Sequence, residues 1–413
     1  MGVGVRSEAD TAAPPPYLHG PPRPAQRSNE LHRERASRKK PRSVLLAMAA
    51  AASAVSEALA DGGAAAVAED DDDPAPCAWP PAVAARYERL GKMGEGIFGD
   101  VYAARDRADA RLVAVKRLAG RTDARFVKTG LREFAREAMS LGACRGHPSV
   151  VELLATFADS RRSDGDCFVV TAFAGRLNLR GYMALRRREG RPFREAEVRG
   201  VMRQLLAGVE RAHAAGVLQR DIEPENVLVD DEDAKKIKYR ICGFGLSEPA
   251  ALAGKDEFST LAASSPYRAP ELFLGSKEYD GRIDTWGLGC IMADLLAGAG
   301  KPFFGEPPDK VLQSMLHVVG ARGIKNWPGL QRLQAARDPA RELLVRCSPD
   351  GGRLREAFPE SVLSRDGFEV LSGLLESSPE RRLTAAAALK KPWFRARWRR
   401  GLGLCLNPRV VSP

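Results

Sequence analysis

The run Gln219-Arg220-Asp221-Ile222-Glu223-Pro224-Glu225-Asn226-Val227-Leu228-Val229, followed after a charged turn by Ile241-Cys242-Gly243-Phe244-Gly245-Leu246, decides how this chain is read. Around it lie 413 residues with a formal net charge of +11, enough for one sizeable domain and a flexible extension. A hydrophobic content of 44% allows a proper core. The cysteines, at 77, 144, 167, 242, 290, 347 and 405, form no C-x-x-C pair. Neither a zinc site nor a disulfide framework is indicated, and a reducing compartment is the natural setting. No apolar run reaches the ~18 residues of a membrane span.

Upstream, Tyr87 to Lys92 reads as a strand leading into Gly94-Glu95-Gly96-Ile97-Phe98-Gly99-Asp100-Val101. Glycines there let backbone approach phosphates without a side-chain clash. A dinucleotide turn uses the same glycine spacing but feeds a helix. Here the strand Val101-Tyr102-Ala103-Ala104 follows, which argues for a hairpin lid over a nucleotide. Leu112-Val113-Ala114-Val115-Lys116 is a second strand ending in a lysine. Leu131 to Leu141 has helical spacing, with Leu131, Phe134, Ala138 and Leu141 on one face. Glu137 and Glu133 lie one turn apart on it as candidate partners of Lys116. Cys167-Phe168-Val169-Val170 is an apolar strand before Thr171 and Ala172-Phe173-Ala174. Glu197 to Ala212 is amphipathic, with Val198, Val201, Met202, Leu205, Leu206 and Val209 on one stripe. Downstream stand Ser265-Pro266-Tyr267-Arg268-Ala269-Pro270-Glu271, Asp284-Thr285-Trp286-Gly287-Leu288-Gly289-Cys290 and Arg381-Arg382-Leu383-Thr384.

These motifs, in this order from about Tyr87 to Phe394, resemble those of eukaryotic protein kinases. The Tyr-Arg-Ala-Pro-Glu form and Trp327-Pro328-Gly329 resemble the cyclin-dependent Ser/Thr kinase branch. The resemblance implies an α+β, bilobal protein-kinase fold, with a small β-rich N-lobe carrying helix C and a larger helical C-lobe. The expected division is a disordered low-complexity arm over 1–85, the N-lobe and hinge over 86–174, the C-lobe over 175–395 and a basic tail over 396–413. It implies Asp221 as catalytic base, with Lys116 and Glu137 as the phosphate-binding pair. Gly94, Gly96, Gly99, Val101, Lys116 and the hinge residues Phe173 and Ala174 would hold ATP, and Asn226 would hold Mg2+. Thr171 would be the gatekeeper. Arg220 would receive a phosphate on Ser259 or Thr260, and Ser264 would face the substrate. Glu271 would pair with Arg382, and Asp284 would belong to the D-x-W-x-x-G motif of a core helix.

Three positions depart from the family pattern. Gln219 replaces a histidine, Glu223 replaces a lysine beside the transferring phosphate, and Gly243 replaces a metal-binding aspartate. A hard cation prefers charged oxygens, so Mg2+ binding should be impaired. Losing a preorganised electrostatic donor costs roughly 2.7–4 kcal/mol in other enzymes. The expectation is weak ATP-dependent phosphoryl transfer to Ser/Thr of proteins. The alternative is an inactive pseudokinase acting as a binding or scaffold module. Glu223 as a surrogate metal ligand would compensate for Gly243.

The partner implied is a protein substrate. A cyclin is also implied, although Leu131-Arg132-Glu133-Phe134-Ala135-Arg136-Glu137 keeps only the final Arg-Glu of the docking signature. His213 reads as packing near the end of its helix. Residues 1–47 set nine basic side chains against four acidic ones, which reads as a solvated arm or an import patch. Trp393, Phe394, Arg395, Arg397, Trp398, Arg399 and Arg400 read as aromatics packed on the domain and solvated arginines, and no nucleic acid is expected. Lys39-Lys40-Pro41-Arg42 before Val44 to Ala54 imitates a signal peptide, but its preceding arm is too long. Arg6 at the sixth position does not support myristoylation. No membrane is expected, and the location expected is intracellular, in nucleus or cytoplasm. The composition changes at Met48, where translation is expected to begin.

Overall fold

Alternation of apolar and polar residues builds the first layer. In a computed structural model, which describes residues 79–395 apart from 97–98, 119–123, 159–165, 255–264, 306–309, 334–341, 343, 346 and 348–351, these residues form an antiparallel five-stranded sheet. Its order is β1 (Tyr87–Gly96), β2 (Gly99–Asp106), β3 (Leu112–Leu118), β5 (Cys167–Ala172), β4 (Leu153–Ala158). On β3, Val113 and Val115 are fully buried between less buried neighbours. This is the period of two that a half-covered sheet requires.

The described chain begins before the boundary read from composition. Helix α1 (Pro81–Arg86) falls mostly within the stretch assigned to the arm, started by Pro81 in its first turn. Its Val83 is fully buried with Tyr87, Ala104, Val113 and Phe168. Trp79 stands edge-on to Tyr102 and Phe168, with centroids 5.8 and 6.4 Å away. The sheet face needs an apolar cover, and residues 79–86 provide it. Helix α2 (Ala124–Ala143) runs beyond the expected 131–141 at both ends. It buries Phe134, Ala138 and Leu141.

The helical half contains α3 (Leu179–Arg188), α4 (Glu195–Ala214), α5 (Arg282–Ala297), α6 (Val311–Val319), α7 (Arg365–Leu374) and α8 (Ala385–Leu389). The α4 stripe named above is buried at all six positions. Helix α5 is buried continuously from Ile283 to Leu295, as the central helix of a bundle must be. Trp393 is buried and donates its indole N–H to Glu195 Oε1 at 2.6 Å, and Phe394 is buried beside it. Among the described residues no helix is long and apolar enough to cross a membrane.

Two small sheets frame the deciding stretch. β6 (Leu177–Asn178), β8 (Val227–Asp230) and β9 (Lys238–Ile241) form one; β7 (Val217–Leu218) and β10 (Glu248–Pro249) form the other. The loop 219–226 therefore leaves β7 and enters β8, while the turn 242–247 leaves β9 and enters β10. One apolar cluster, containing Phe134, Leu141, Ile241, Phe244, Ile222 and Trp286, runs from α2 beneath the turn and the loop to α5. The β-rich part with α2 and the helical part make the two lobes of a kinase fold.

Candidate active site

Lys116 ends near the middle of β3 and reaches α2, where its Nζ lies 2.6 Å from Glu137 Oε2. Burial pulls the Lys116 pKa down, but the Glu137 carboxylate more than offsets this and leaves it raised. Glu133 does not share that bond. It is buried, and its Oε1 has no hydrogen-bond partner among the described residues. Burial pushes its carboxyl up to about 7, against the nearby Lys116 and Arg136 charges and with Glu137 adding to the rise. Above Lys116, Val101 pairs with it across β2 and β3. Gly99 has φ +134°, and a Cβ there would meet the Arg117 carbonyl oxygen at 1.9 Å. Only glycine lets the lid strand approach its neighbour so closely. Gly94 has open space around it, and Gly96 stands opposite Gly99 at the tip. Phe173 and Ala174 follow β5 as the connection between the lobes.

The loop is fixed from beneath by one buried carboxylate. Asp284 Oδ2 accepts the Gln219 N–H at 3.0 Å, and its Oδ1 accepts the Arg220 N–H at 2.8 Å. His213 Nε2 also lies 2.7 Å from Asp284 Oδ2, which gives that histidine a bracing place at the end of α4. Gln219 does more than fill space. Its Nε2 donates to the carbonyls of Cys242 and Gly243, both at 3.1 Å, and its Oε1 accepts the Asp221 N–H at 2.6 Å. One amide side chain thus ties the Asp221 loop to the Gly243 turn, and it does so without titrating.

Asp221 receives the Asn226 amide at Oδ2 (2.8 Å), and the same amide reaches the Asp221 carbonyl at 2.9 Å. Burial raises the Asp221 pKa, opposed by the Asn226 bond and reinforced by Glu225. Gly243 has φ 70° and ψ 44°, in the left-handed region. A Cβ at 243 would lie 2.3 Å from Asn226 Oδ1. Asn226 therefore occupies the room beside residue 243 and spends its N–H on Asp221. Among the described residues no three His, Cys, Asp or Glu side chains group as a metal site. Asp221 Oδ2 and Asn226 Oδ1 are the described side-chain oxygens that lie next to Gly243 and the loop.

Glu223 changes the reading made from charge alone. Burial first, then Asp221 and Glu225, push its carboxyl up to about 8. Its Oε2 accepts the Ser265 hydroxyl at 3.3 Å. That rise favours the uncharged carboxyl beside Asp221. Ser265, which opens the run ending in Tyr-Arg-Ala-Pro-Glu, is the described hydroxyl at this place. Ser259, Thr260 and Ser264 lie outside the described residues.

Beyond Asp221 a small cleft is lined by Asp221, Ser265, Tyr267, Arg268, Leu272 and Tyr279, among others. Glu271 and Arg382 meet in a two-armed ion pair, both contacts 2.7 Å, with side chains 1% and 0% exposed. Arg220 is not an open cation. Its NH1 lies 3.0 Å from Glu248 Oε1, a partner that no spacing in the sequence announced.

A family model of the protein kinase domain matches residues 87–394. The chain belongs to the protein kinase family. Putative cyclin-dependent kinase F-2 of Oryza sativa subsp. japonica is 48% identical over 312 residues, 75% of this chain and 90% of that protein. Cyclin-dependent kinase G-2 of Oryza sativa subsp. indica is 35% identical over 317 residues, 75% of this chain and 41% of its own. Cell division control protein 2 homolog 3 of Trypanosoma brucei brucei is 32% identical over 315 residues, 75% and 92%. This kinase is therefore of the cyclin-dependent-kinase-like Ser/Thr branch, a family of ATP-binding transferases.

Proposed function

We propose that this kinase domain holds ATP against Lys116 and passes its γ-phosphate, slowly, to Ser or Thr hydroxyls of a protein substrate. The observation that carries this is the pairing of Lys116 with Glu137 at 2.6 Å while Asp221 is held from both sides by Gln219 and Asn226. Asp221 is the acceptor for the substrate hydroxyl's hydrogen, and Lys116 orients phosphate oxygens. The slow rate follows from what is missing. A carboxylate at 243 and a cation at 223 are each the kind of electrostatic group worth roughly 2.7–4 kcal/mol. Together their loss slows transfer on the order of 10⁴–10⁶-fold.

One observation favours a second reading, a pseudokinase that binds but does not transfer. Asn226 has closed over the space beside Gly243, so the site is shaped for a nucleotide without a firmly held metal. Phosphate transfer to a generic basic protein, and the shift in melting temperature given by ATP with and without magnesium, separate the two. The first reading expects transfer by the natural sequence that disappears in Asp221→Asn. ATP should shift melting of the natural sequence nearly equally with and without magnesium, and not that of Lys116→Met. Transfer indistinguishable between the natural sequence and Asp221→Asn selects the second reading. A cyclin partner is proposed from the relatives' names. Co-purification that survives in the natural sequence and fails in Arg136→Ala would support it. The proposed setting is intracellular.

A further inference from the structure

Arg220 is the one non-glycine residue of the loop with a left-handed backbone, at φ 67°. Such a conformation costs on the order of 1–3 kcal/mol and persists only when its surroundings over-determine it. Here they do. The Arg220 N–H is taken by Asp284, and its Nε donates to the Leu246 carbonyl at 2.6 Å. Its NH1 donates to the Tyr279 hydroxyl at 3.1 Å and pairs with Glu248 at 3.0 Å. The Tyr279 hydroxyl in turn donates to Glu248 Oε1 at 2.6 Å. The two charged side chains are 7% and 4% exposed.

Glu248 is not a mobile partner. It sits on β10, opposite Leu218 of β7, so backbone pairing fixes it two residues in register from Arg220. Just before it, Ser247 is fully buried, and its hydroxyl lies 2.7 Å from that of Ser140 on α2. Arg136, also on α2, lies within electrostatic range of both Arg220 and Glu248. The pair therefore sits where α2, the catalytic loop and the start of the segment after the Phe244 turn converge. A phosphate arriving at Arg220 would meet a carboxylate already bound there, and its own charge of about −1.5 to −2 would be repelled.

We propose that Glu248 is a positioning residue that gives Arg220 its counter-anion from within the chain, so that the loop carrying Asp221 is assembled without phosphorylation of Ser259 or Thr260. This replaces the expectation that Arg220 receives such a phosphate. It rests on the kinase reading only for its activity arm.

The test uses the full chain before and after phosphatase treatment, with Glu248→Gln and Glu248→Asp beside it. Amide hydrogen exchange over 218–222 and phosphate transfer are both read. Phosphatase should leave exchange and transfer of the natural sequence within about twofold. Glu248→Gln should speed exchange at least about tenfold and cut transfer similarly while the ATP-induced melting shift stays, and Glu248→Asp should recover part of both. Exchange that rises about tenfold on dephosphorylating the natural sequence overturns the proposal, as does unchanged exchange in Glu248→Gln. If Glu248→Gln does not fold, the phosphatase arm decides alone. If the natural sequence transfers no phosphate, the functional reading falls while the exchange arm still decides this one.

Discussion

Of the three residues that depart from the family pattern, Gly243 and Gln219 receive opposite meanings from the structure. Restoring the missing carboxylate by Gly243→Asp looks like the obvious repair. Aspartate tolerates a left-handed backbone better than most residues, so the 70° φ at 243 is not the obstacle. The obstacle is Asn226, whose Oδ1 would lie 2.3 Å from the new Cβ and whose amide is committed to Asp221. Gly243→Asp alone should lower stability by about 1–2 kcal/mol, seen as a melting point several degrees lower. Metal-dependent ATP binding should appear only if Asn226 turns away, and a stable variant with strong magnesium dependence would show that Asn226 leaves room for a side chain at 243. Gln219 is the opposite case, a replacement that still works. Gln219→Ala would strand the buried Asp221 N–H and two carbonyls, each worth roughly 1–3 kcal/mol when unsatisfied. A loss of about 2–4 kcal/mol in urea unfolding is expected, with Asp221 misplaced and transfer lost in proportion. A neutral Gln219→Ala would mean that water or a neighbouring residue takes over the brace.

At the scale of elements, the segment from Ser265 to Ser276 is anchored to the helical half by Glu271 and Arg382. Both charges are out of water, and Arg382 also lies over the Trp286 ring at 5.0 Å. Removing one partner leaves the other charged and buried, which costs about 3–5 kcal/mol. Glu271→Ala should therefore destabilise strongly, while a paired Glu271→Leu, Arg382→Met replacement should cost less, as measured by calorimetric melting of all three proteins. Near-equal losses would show that the desolvated charge is not the issue. This pair was legible in the sequence because both residues sit inside recognisable motifs. So were the lid strand and the α4 stripe, where periodicity and local glycines dictate the element. What was not legible arose across elements. Glu248 meets Arg220 only because β10 pairs with β7, and no local pattern states that pairing. Trp79 and Val83 follow a low-complexity stretch, so their role as a cover for the sheet shows only once the sheet exists. The competition between Glu133 and Glu137 was open in the sequence, since both point from one helix face, and distance alone chose between them.

At the scale of the whole molecule, three partly or fully buried carboxyls make stability depend on pH in an unusual direction. Burial pushes Glu133 up to about 7, Glu223 up to about 8 and Asp294 up to about 6. Each has a folded pKa above its unfolded one, so the fold favours the protonated form. The stability these groups contribute is fully present below about pH 4 and is lost as pH rises through about 6 to 8. Asp100, Asp106, Glu197 and Asp230 work the other way, since their partners hold them below the usual carboxylate range. Their contribution is present above about pH 4.5 and fades as pH falls through their lowered values. The two sets cross on the acidic side of neutrality, so stability in urea should peak near about pH 5 and fall toward about pH 8. Glu133 gives this slope its sharpest test, because its unpartnered Oε1 leaves an ionised carboxylate with no hydrogen bond there. Glu133→Gln should flatten the fall between about pH 5 and 8 by about 2 kcal/mol, while the bond from Lys116 to Glu137 stays in place. Stability that rises over that range in the natural sequence, or a slope untouched in Glu133→Gln, would place that carboxyl in water rather than in the buried interior beside α2.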